Sequence, residues 1–322
     1  MYIRLENIIP VIILGPTASG KSEIAIKLAN VLNGEIINAD SMQIYKGFDI
    51  GKGKLNAKER EGIKHDMISF LNPEEEYSAG KYRKDCLRII EEIKKRGKIP
   101  IIVGGTGFYI RTLLKGIAPI PEIPKKLRDR LNKIISSYGC EYFYRFLSVL
   151  DPVYIKKISK NDKQRIERAI EVIFFSGKSF SSFFNDELNK NDSFENIKIG
   201  LFLEKEELKR RIAERVEKMI RNGWLEEVKN LIDMKIPINS QSFKSIGYRE
   251  MAYVLEGKLN LDQAKEVIIR KTFLYAKRQM TWFKKEKNVH WIKSNDLELA
   301  FFSALRYIKE KKEGELYVNG RK

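Results

Sequence analysis

Only two histidines, His65 and His290, and two cysteines, Cys86 and Cys140, occur in 322 residues. Neither pair has the spacing of a metal or redox motif, so zinc, iron–sulfur and thiol-exchange chemistry lack a ligand set. The cysteines are expected to be reduced, as in a cytosolic protein. No window reaches the roughly 18 apolar residues of a membrane-spanning helix, and no long leader-like apolar stretch stands before Pro10. The chain is therefore expected to be soluble and cytoplasmic, with no membrane partner. It has no internal repeat and no low-complexity tract. Acidic residues are in short supply too: 43 Asp+Glu against 61 Lys+Arg leave a net charge of +18. Such an excess favours polyanionic partners, nucleic acid ahead of an anionic membrane. A general preference for lysine on solvated faces gives the same total, so composition alone leaves both readings open. The length allows a full core and either two domains or one with an insertion.

What is present begins with Gly15-Pro16-Thr17-Ala18-Ser19-Gly20-Lys21-Ser22. The apolar run Val11–Leu14 precedes it, and a segment of helical periodicity, Lys21–Leu32, follows. G-x-x-x-x-G-K-[ST] between a strand and a helix is a phosphate-binding P-loop. Its glycines let the backbone curl until several N–H groups point at one anion; the helix N-terminus and Lys21 add positive charge. Ser22 is placed to ligate Mg²⁺ through its hydroxyl. The motif names a pyrophosphate site without naming a reaction; alone it points to ATP.

Further strands are expected at Glu35–Asn38, Ile99–Val103, Ile197–Leu203 and Val289–Ile292. Helices are expected at Tyr77–Arg96, Phe108–Leu114, Glu204–Asn222, Trp224–Met234, Gly247–Glu256, Leu261–Lys285 and Leu297–Lys311, before a frayed tail. Strands alternating with helices imply a parallel sheet covered on both faces, with ligands at the carboxyl ends of the strands. The P-loop, Asp40-Ser41 and Gly104–Thr106 should therefore converge. Ala118-Pro119-Ile120-Pro121-Glu122-Ile123-Pro124 breaks the rhythm, because these prolines cannot continue a helix. Lys125 to about Phe184 reads as helical, and Asn185–Asn196 as the linker back to the sheet. The expected fold is thus α/β, a P-loop NTPase-like sheet formed by 1–118 and 197–322. A helical domain, 119–196, is inserted into it.

Asp40, at the end of the second strand, faces the anion site as a general base; a helix cap or a Mg²⁺-associated aspartate fits the position equally well. Thr106 either presents a hydroxyl to phosphate or merely caps a tight turn. Gln164 and Arg168, four apart on one helix, form either a base- and phosphate-binding pair or a solvated face. Arg270-Lys271, Lys277-Arg278 and Lys284-Lys285 recur every seven residues on one broad face, with no acidic residue between Lys271 and Lys285. Leu261, Ala264, Ile268, Tyr275 and Trp282 fall roughly opposite and are expected to dock on the core. A double row of cations on a docked helix suits a nucleic-acid backbone.

Together these pieces resemble the tRNA dimethylallyltransferase (IPP transferase) family, which isopentenylates an adenosine beside the anticodon. The matching stretches are Gly15–Ser22, Asp40–Tyr45, Asp49–Gly51, Val103–Tyr109, Asn161–Val172, Ser245–Glu250 and Tyr275–Phe283, in the family's order. The resemblance implies that Gly15, Pro16, Thr17, Ala18, Ser19, Gly20, Lys21, Ser22 and Thr106 hold the diphosphate of dimethylallyl diphosphate with Mg²⁺ on Ser22, and that no nucleoside triphosphate is consumed. It makes Asp40 the base, with Thr17 and Lys21 acting on the leaving group. It also brings an arginine to the diphosphate, Arg215 in first place with Arg211 as the alternative. It puts RNA contacts on Asp40, Ser41, Met42, Gln43, Gln164, Arg165, Ile166, Glu167, Arg168, Gly247, Lys277, Arg278, Gln279 and Lys284. The chain departs from the family pattern at Lys52-Gly53-Lys54, where Thr-Ala-Lys is usual. It departs again at Phe273 and Leu274, where an Arg often stands, and around His65.

The expected protein is a monomer whose two domains grip a tRNA anticodon stem-loop. A P-loop nucleotide kinase is the main alternative, and the basic 270–285 helix argues against it. A free-adenylate isopentenyltransferase would need neither that helix nor the Gln164/Arg168 pair. An RNA-binding protein that only senses phosphate would have no use for Asp40.

Overall fold

Six short strands form one sheet: β1 (Val11–Leu14), β2 (Gly34–Asn38), β3 (His65–Asp66), β4 (Ile99–Gly104), β5 (Ile197–Phe202) and β6 (Val289–Lys293). The computed structural model describes residues 8–184 and 194–319. The strand order is β3-β2-β4-β1-β5-β6, with every pairing parallel. The helices are, in chain order, α1 (Lys21–Leu32), α2 (Ala79–Lys95), α3 (Gly107–Lys115), α4 (Lys125–Tyr138), α5 (Cys140–Leu150), α6 (Pro152–Ile155), α7 (Lys163–Ser176), α8 (Lys205–Arg221), α9 (Trp224–Asp233), α10 (Tyr248–Leu255), α11 (Leu261–Phe283) and α12 (Leu297–Asn319). Among the described residues no helix is long and apolar enough to cross a membrane.

β1 shows why the strand sequences are apolar on both sides. Val11 and Ile13 pack toward Ile24 and Leu28 of α1 and Ala300 and Ile308 of α12. Ile12 and Leu14 pack the other way, toward Tyr82, Cys86 and Ile90 of α2 and Ile110 and Leu113 of α3. A parallel strand with both faces covered reads as a continuous apolar run. A third apolar cluster joins α8, α9, α10 and α11 through Ile212, Trp224, Phe243, Tyr248 and Ile268. Because all strands run in one direction, the ends of β1, β2 and β4 deliver the P-loop, Asp40 and Gly104–Thr106 to the same edge of the sheet.

The chain divides into two compact units at Leu114 and at Phe194, a few residues from the expected divisions at 118 and 196. α3 ends before the proline-rich stretch rather than within it. The inserted unit is helical: α4, α5 and α7 share a core of Ile135, Phe143, Leu147, Ile166 and Ile170. Buried Asp151 organises its middle, accepting the Tyr154 N–H at 2.9 Å to cap α6 and the Ser181 N–H at 2.7 Å. Of the expected linker, residues 185–193 lie outside the described residues.

One expectation is corrected, and one strand is added. α12 continues to Asn319, where a frayed tail after Lys311 was expected. β3 has no counterpart in the sequence reading, since two polar residues carry no apolar signal; only backbone pairing with Ile36 and Ile37 makes it an edge strand.

Candidate active site

The P-loop leaves β1 at Leu14 and enters α1 at Lys21. α1 has no side-chain cap, and its first backbone bond runs from Ile24 N–H to the Gly20 carbonyl at 3.2 Å. The N–H groups of Lys21, Ser22 and Glu23 are therefore left without intrahelical acceptors, as at any helix N-terminus. Gly15 and Pro16 are buried, Thr17, Ala18 and Gly20 half-buried, and Ser22 exposed on the first turn. Ser19 is fully buried, with a hydroxyl that finds no protein partner. Lys21 Nζ donates to the Pro16 carbonyl at 2.6 Å, closing the loop on itself.

Gln279 of α11 ties this loop to the turn after β4. Its Oε1 accepts the Thr17 N–H at 2.9 Å and its Nε2 donates to the Gly105 carbonyl at 2.7 Å. Expected among the RNA contacts, Gln279 is instead buried, with its amide engaged on both sides by protein backbone.

Asp40 stands just past β2, in a turn fixed from both sides. Its N–H donates to Asn38 Oδ1 at 3.1 Å, and its Oδ1 accepts the Met42 N–H at 2.9 Å. Among the described residues nothing donates to its Oδ2. Thr106 locks the turn: its Oγ1 accepts the Ser41 N–H at 2.9 Å and donates to Ser41 Oγ at 3.2 Å. Its own N–H donates to the Ala39 carbonyl at 3.1 Å. The structure thus uses the Thr106 hydroxyl to hold the turn that carries Asp40. Met42 and Gln43 are half-buried beside it, and Gln43 Nε2 reaches the Lys52 carbonyl at 3.2 Å.

The loop carrying Lys52 is built around α9 and α10. Glu227 accepts the N–H groups of Asp49, Ile50 and Gly51 at 2.9, 2.6 and 3.2 Å, and the Tyr248 hydroxyl at 2.7 Å. The Trp224 ring fills the corner so closely that a Cβ at Gly51 or at Gly247 would lie 2.0 Å from it. Lys54 Nζ anchors the far end on Asp49 and Ser69, each at 2.7 Å. Arg215 of α8 donates to the Lys52 carbonyl at 3.1 Å. Gly53 sits at φ +55°, where a side chain is strained, and a Cβ there would lie 2.4 Å from the Arg215 guanidinium and push it off the backbone. Arg211, by contrast, is committed to Glu207 at 2.7 Å and to the Asn295 carbonyl at 2.6 Å.

Electrostatically the site is cationic around one carboxylate. Burial, and then the neighbouring Arg215 charge, push Lys21 down to about 7 against the pull of Asp40. Burial also brings Lys52 down to about 7, opposed by Asp40 and reinforced by Arg215. Arg215 is lowered by burial and supported by Asp40. Tyr275 is raised by burial and then by the Asp40 charge; Tyr109 is raised by burial, then Tyr45, then Asp40. Among the described residues no carboxylate is ion-paired to Lys21, Lys52 or Arg215. Half-buried cations without counter-ions are costly unless an anion joins them. The arrangement can bind a multiply charged anion next to a carboxylate able to take a proton.

A family model described as IPP transferase matches residues 43–286 of this chain. The chain belongs to the IPP transferase family. Family relatives include the tRNA dimethylallyltransferase of Geobacter sulfurreducens, 40% identical over 88% of this chain and 91% of its own. That of Halothermothrix orenii is 41% identical over 89% of this chain and 88% of its own. Among solved structures, the full-length tRNA isopentenylpyrophosphate transferase of Bacillus halodurans superposes with a TM-score of 0.71 at 33% identity, covering 98% of this chain and 100% of that one. A eukaryotic dimethylallyltransferase captured acting on tRNA gives 0.77 at 31% identity, over 90% of this chain and 74% of that one.

The remaining family-matched positions separate into surface and interior. Arg270, Lys271, Lys277, Arg278, Lys284 and Lys285 are all exposed, although Lys271 is drawn to Glu250 of α10 at 2.6 Å. The buried side of α11 is Ala264, Ile268, Ala276, Gln279 and Phe283. Leu261 and Trp282, expected on the core side, are exposed. A seven-residue series drifts by about 20° per repeat on a straight helix, so its two ends rotate off the core. In the helical unit Gln164 and Arg165 are exposed and Glu167 pairs with Lys163 at 3.5 Å. Arg168 is held by Glu171 at 3.2 Å. Ile166, expected to touch RNA, is fully buried in the core of its own unit. Gly247 offers no side chain, and its N–H is taken by Glu250 at 2.8 Å. Sequence reasoning gave no role to Glu227, Trp224, Tyr248 and Tyr109, which sit in ordinary amphipathic helix patterns, and read Tyr275 only as a core contact of α11. Lys52 alone carried a signal, as an unusual lysine in a glycine-rich loop.

Proposed function

We propose that this chain transfers a dimethylallyl group from dimethylallyl diphosphate to N6 of the adenosine beside the anticodon of a tRNA, releasing pyrophosphate. The observation that carries this reading is Asp40, a lone carboxylate with a free oxygen standing among cations that have no counter-ion of their own. The N6 lone pair attacks the allylic C1 as the C1–O bond breaks. The bonding electrons leave with the diphosphate, and the N6 proton passes to Asp40 Oδ2. Charge develops on the departing oxygen, so N–H groups at the start of α1, with Lys21 and Arg215, lower the barrier there. The target base has to leave its stack to reach Asp40.

Magnesium fits this site as a companion of the diphosphate. The exposed Ser22 hydroxyl supplies one hard oxygen, while no group of three or more His, Cys, Asp or Glu among the described residues could hold a metal unaided. Mg²⁺ is commonly held with few protein ligands, so Ser22 would hold it together with the substrate's phosphates. When bound it would add positive charge at the leaving group. Exposed Lys277, Arg278 and Lys284 of α11, and Gln164 and Arg165 of α7, are suited to RNA phosphates and bases.

The test is an assay with labelled dimethylallyl diphosphate, Mg²⁺ and either unmodified tRNA bearing adjacent adenosines or free adenosine monophosphate. Isopentenyladenosine should form in the tRNA and not on the nucleotide. A folded protein that modifies only the free nucleotide, or transfers phosphate from ATP instead, refutes the reading.

A further inference from the structure

Lys52 is the one cation of the site that does not belong to the P-loop or to the α8 arginine. We propose that Lys52 is a third diphosphate-binding side chain, working beside Lys21 and Arg215 on the leaving group; the assignment rests on the transferase reading above.

The loop presents this lysine on a fixed backbone. Glu227 holds the three preceding N–H groups, and the Lys52 carbonyl accepts from both Arg215, at 3.1 Å, and Gln43, at 3.2 Å. Its ammonium rests 4.8 Å above the Tyr248 ring, a contact that fixes a cation without neutralising it. Among the described residues no carboxylate lies within ion-pair distance of it, and Asp40 and Arg215 are the charges that act on it most strongly. A lysine meant only to brace the loop has a better solution two residues on. Lys54 is enclosed and bonded to Asp49, Ser69 and the Tyr45 carbonyl. Lys52 has none of these partners.

Gly53 completes the device. Lacking a Cβ, it lets the Arg215 guanidinium lie against bare backbone, so the arginine and the loop bearing Lys52 are brought together. Lys21, Lys52 and Arg215 then stand against one uncommitted carboxylate, Asp40, since Glu227 and Glu250, which also act on Lys52, are engaged by backbone N–H groups and by Lys271. That excess matches a diphosphate, which carries several charges on adjacent oxygens, better than a single RNA phosphodiester. The exposed lysines of α11 are the better match for the latter.

The experiment measures binding of inorganic pyrophosphate by calorimetry, with tRNA binding measured in parallel. Lys52→Met, which keeps the length and removes the charge, should weaken pyrophosphate binding by roughly tenfold or more. It should raise KM for dimethylallyl diphosphate and leave tRNA affinity and KM for tRNA unchanged. Lys52→Arg should recover most of the pyrophosphate affinity, which a merely structural role would not require. Pyrophosphate binding indifferent to the charge at position 52, or a loss confined to tRNA affinity, overturns the assignment. Absence of pyrophosphate binding by the unaltered chain would instead overturn the transferase reading together with it.

Discussion

Replacing Gln279 gives the sharpest test of how the site is assembled, because sequence and structure assign it different work. Its side chain is 5% exposed and joins Thr17 N–H at 2.9 Å to the Gly105 carbonyl at 2.7 Å. Gln279→Ala leaves both backbone groups without partners, at about 1–3 kcal/mol each. The emptied volume adds on the order of 1 kcal/mol, less whatever an entering water recovers. A net loss of about 2–5 kcal/mol follows, and in a unit of this size each kcal/mol lowers Tm by about 2–4 °C. Scanning calorimetry should therefore show a fall of about 4–20 °C. Gln279→Glu separates shape from charge: it still accepts from Thr17, but its second oxygen faces the Gly105 carbonyl and its charge faces the anion site. At about 6 Å and an effective dielectric near 20, one such charge opposes each ligand charge by about 3 kcal/mol. Pyrophosphate binding should thus weaken more in Gln279→Glu than in Gln279→Ala. If both variants keep Tm and pyrophosphate affinity and lose only tRNA binding, Gln279 is an RNA contact and the bridging role is wrong.

Three further outcomes are expected. Lys21 and Lys52 sit at about 7 in the folded chain against 10.5 unfolded, so the folded form holds fewer protons across that window. Stability without ligand therefore rises with pH from about 7 toward 10.5 and is lost as pH falls back through it; pyrophosphate, which needs both lysines charged, should take up about one proton per complex at pH 7. Calorimetry in buffers of different ionisation enthalpy reads that number, and net proton release after correction for the ligand would contradict it. Asp40→Asn should lower kcat by about 10²–10⁴-fold while tightening pyrophosphate binding and sparing tRNA affinity; parallel losses in turnover and tRNA affinity would exclude the base role. Lys277→Ala and Lys284→Ala should each weaken tRNA binding and reduce the slope of log K against log salt by about 1, and an unchanged slope would remove them from the RNA surface.

Much of this was legible in the sequence because the sheet and its edge are written in local patterns. Four apolar residues before Gly15 read as a covered strand, and the glycines and Lys21 after them as a loop turning into a helix; the strand and the helix are both there. Asp40 and Thr106 were placed by the same logic, each just past the end of a strand. What stayed hidden depends on distant partners. Gln279 looks like any polar residue of a basic helix until α11 packs beside Thr17 and Gly105. Glu227 lies in an unremarked acidic first turn, yet it anchors a loop far away in sequence. Ile166 falls inside a family-matched stretch, but its burial in α7 follows from helical phase rather than from the motif. Leu261 and Trp282 misled because seven-residue spacing imitates a helical face only over short lengths.

The indole of Trp224, pressed between Gly51 and Gly247, ties three separated positions into one permissible combination. Neither glycine can acquire a side chain while the ring is there, and a smaller ring leaves two bare backbones facing a hole. Changed singly, each position fails. Changed together, with a lesser side chain at 224 and a methyl at 51, the clash with the indole goes and only the Tyr248 ring edge, 2.7 Å from the new carbon, still has to give way. A scan of single substitutions would score all three as intolerant and miss that 51 and 224 can change together, while Gly247, at φ +97°, stays glycine whatever the space. Variation in this part of the chain has to arrive in pairs.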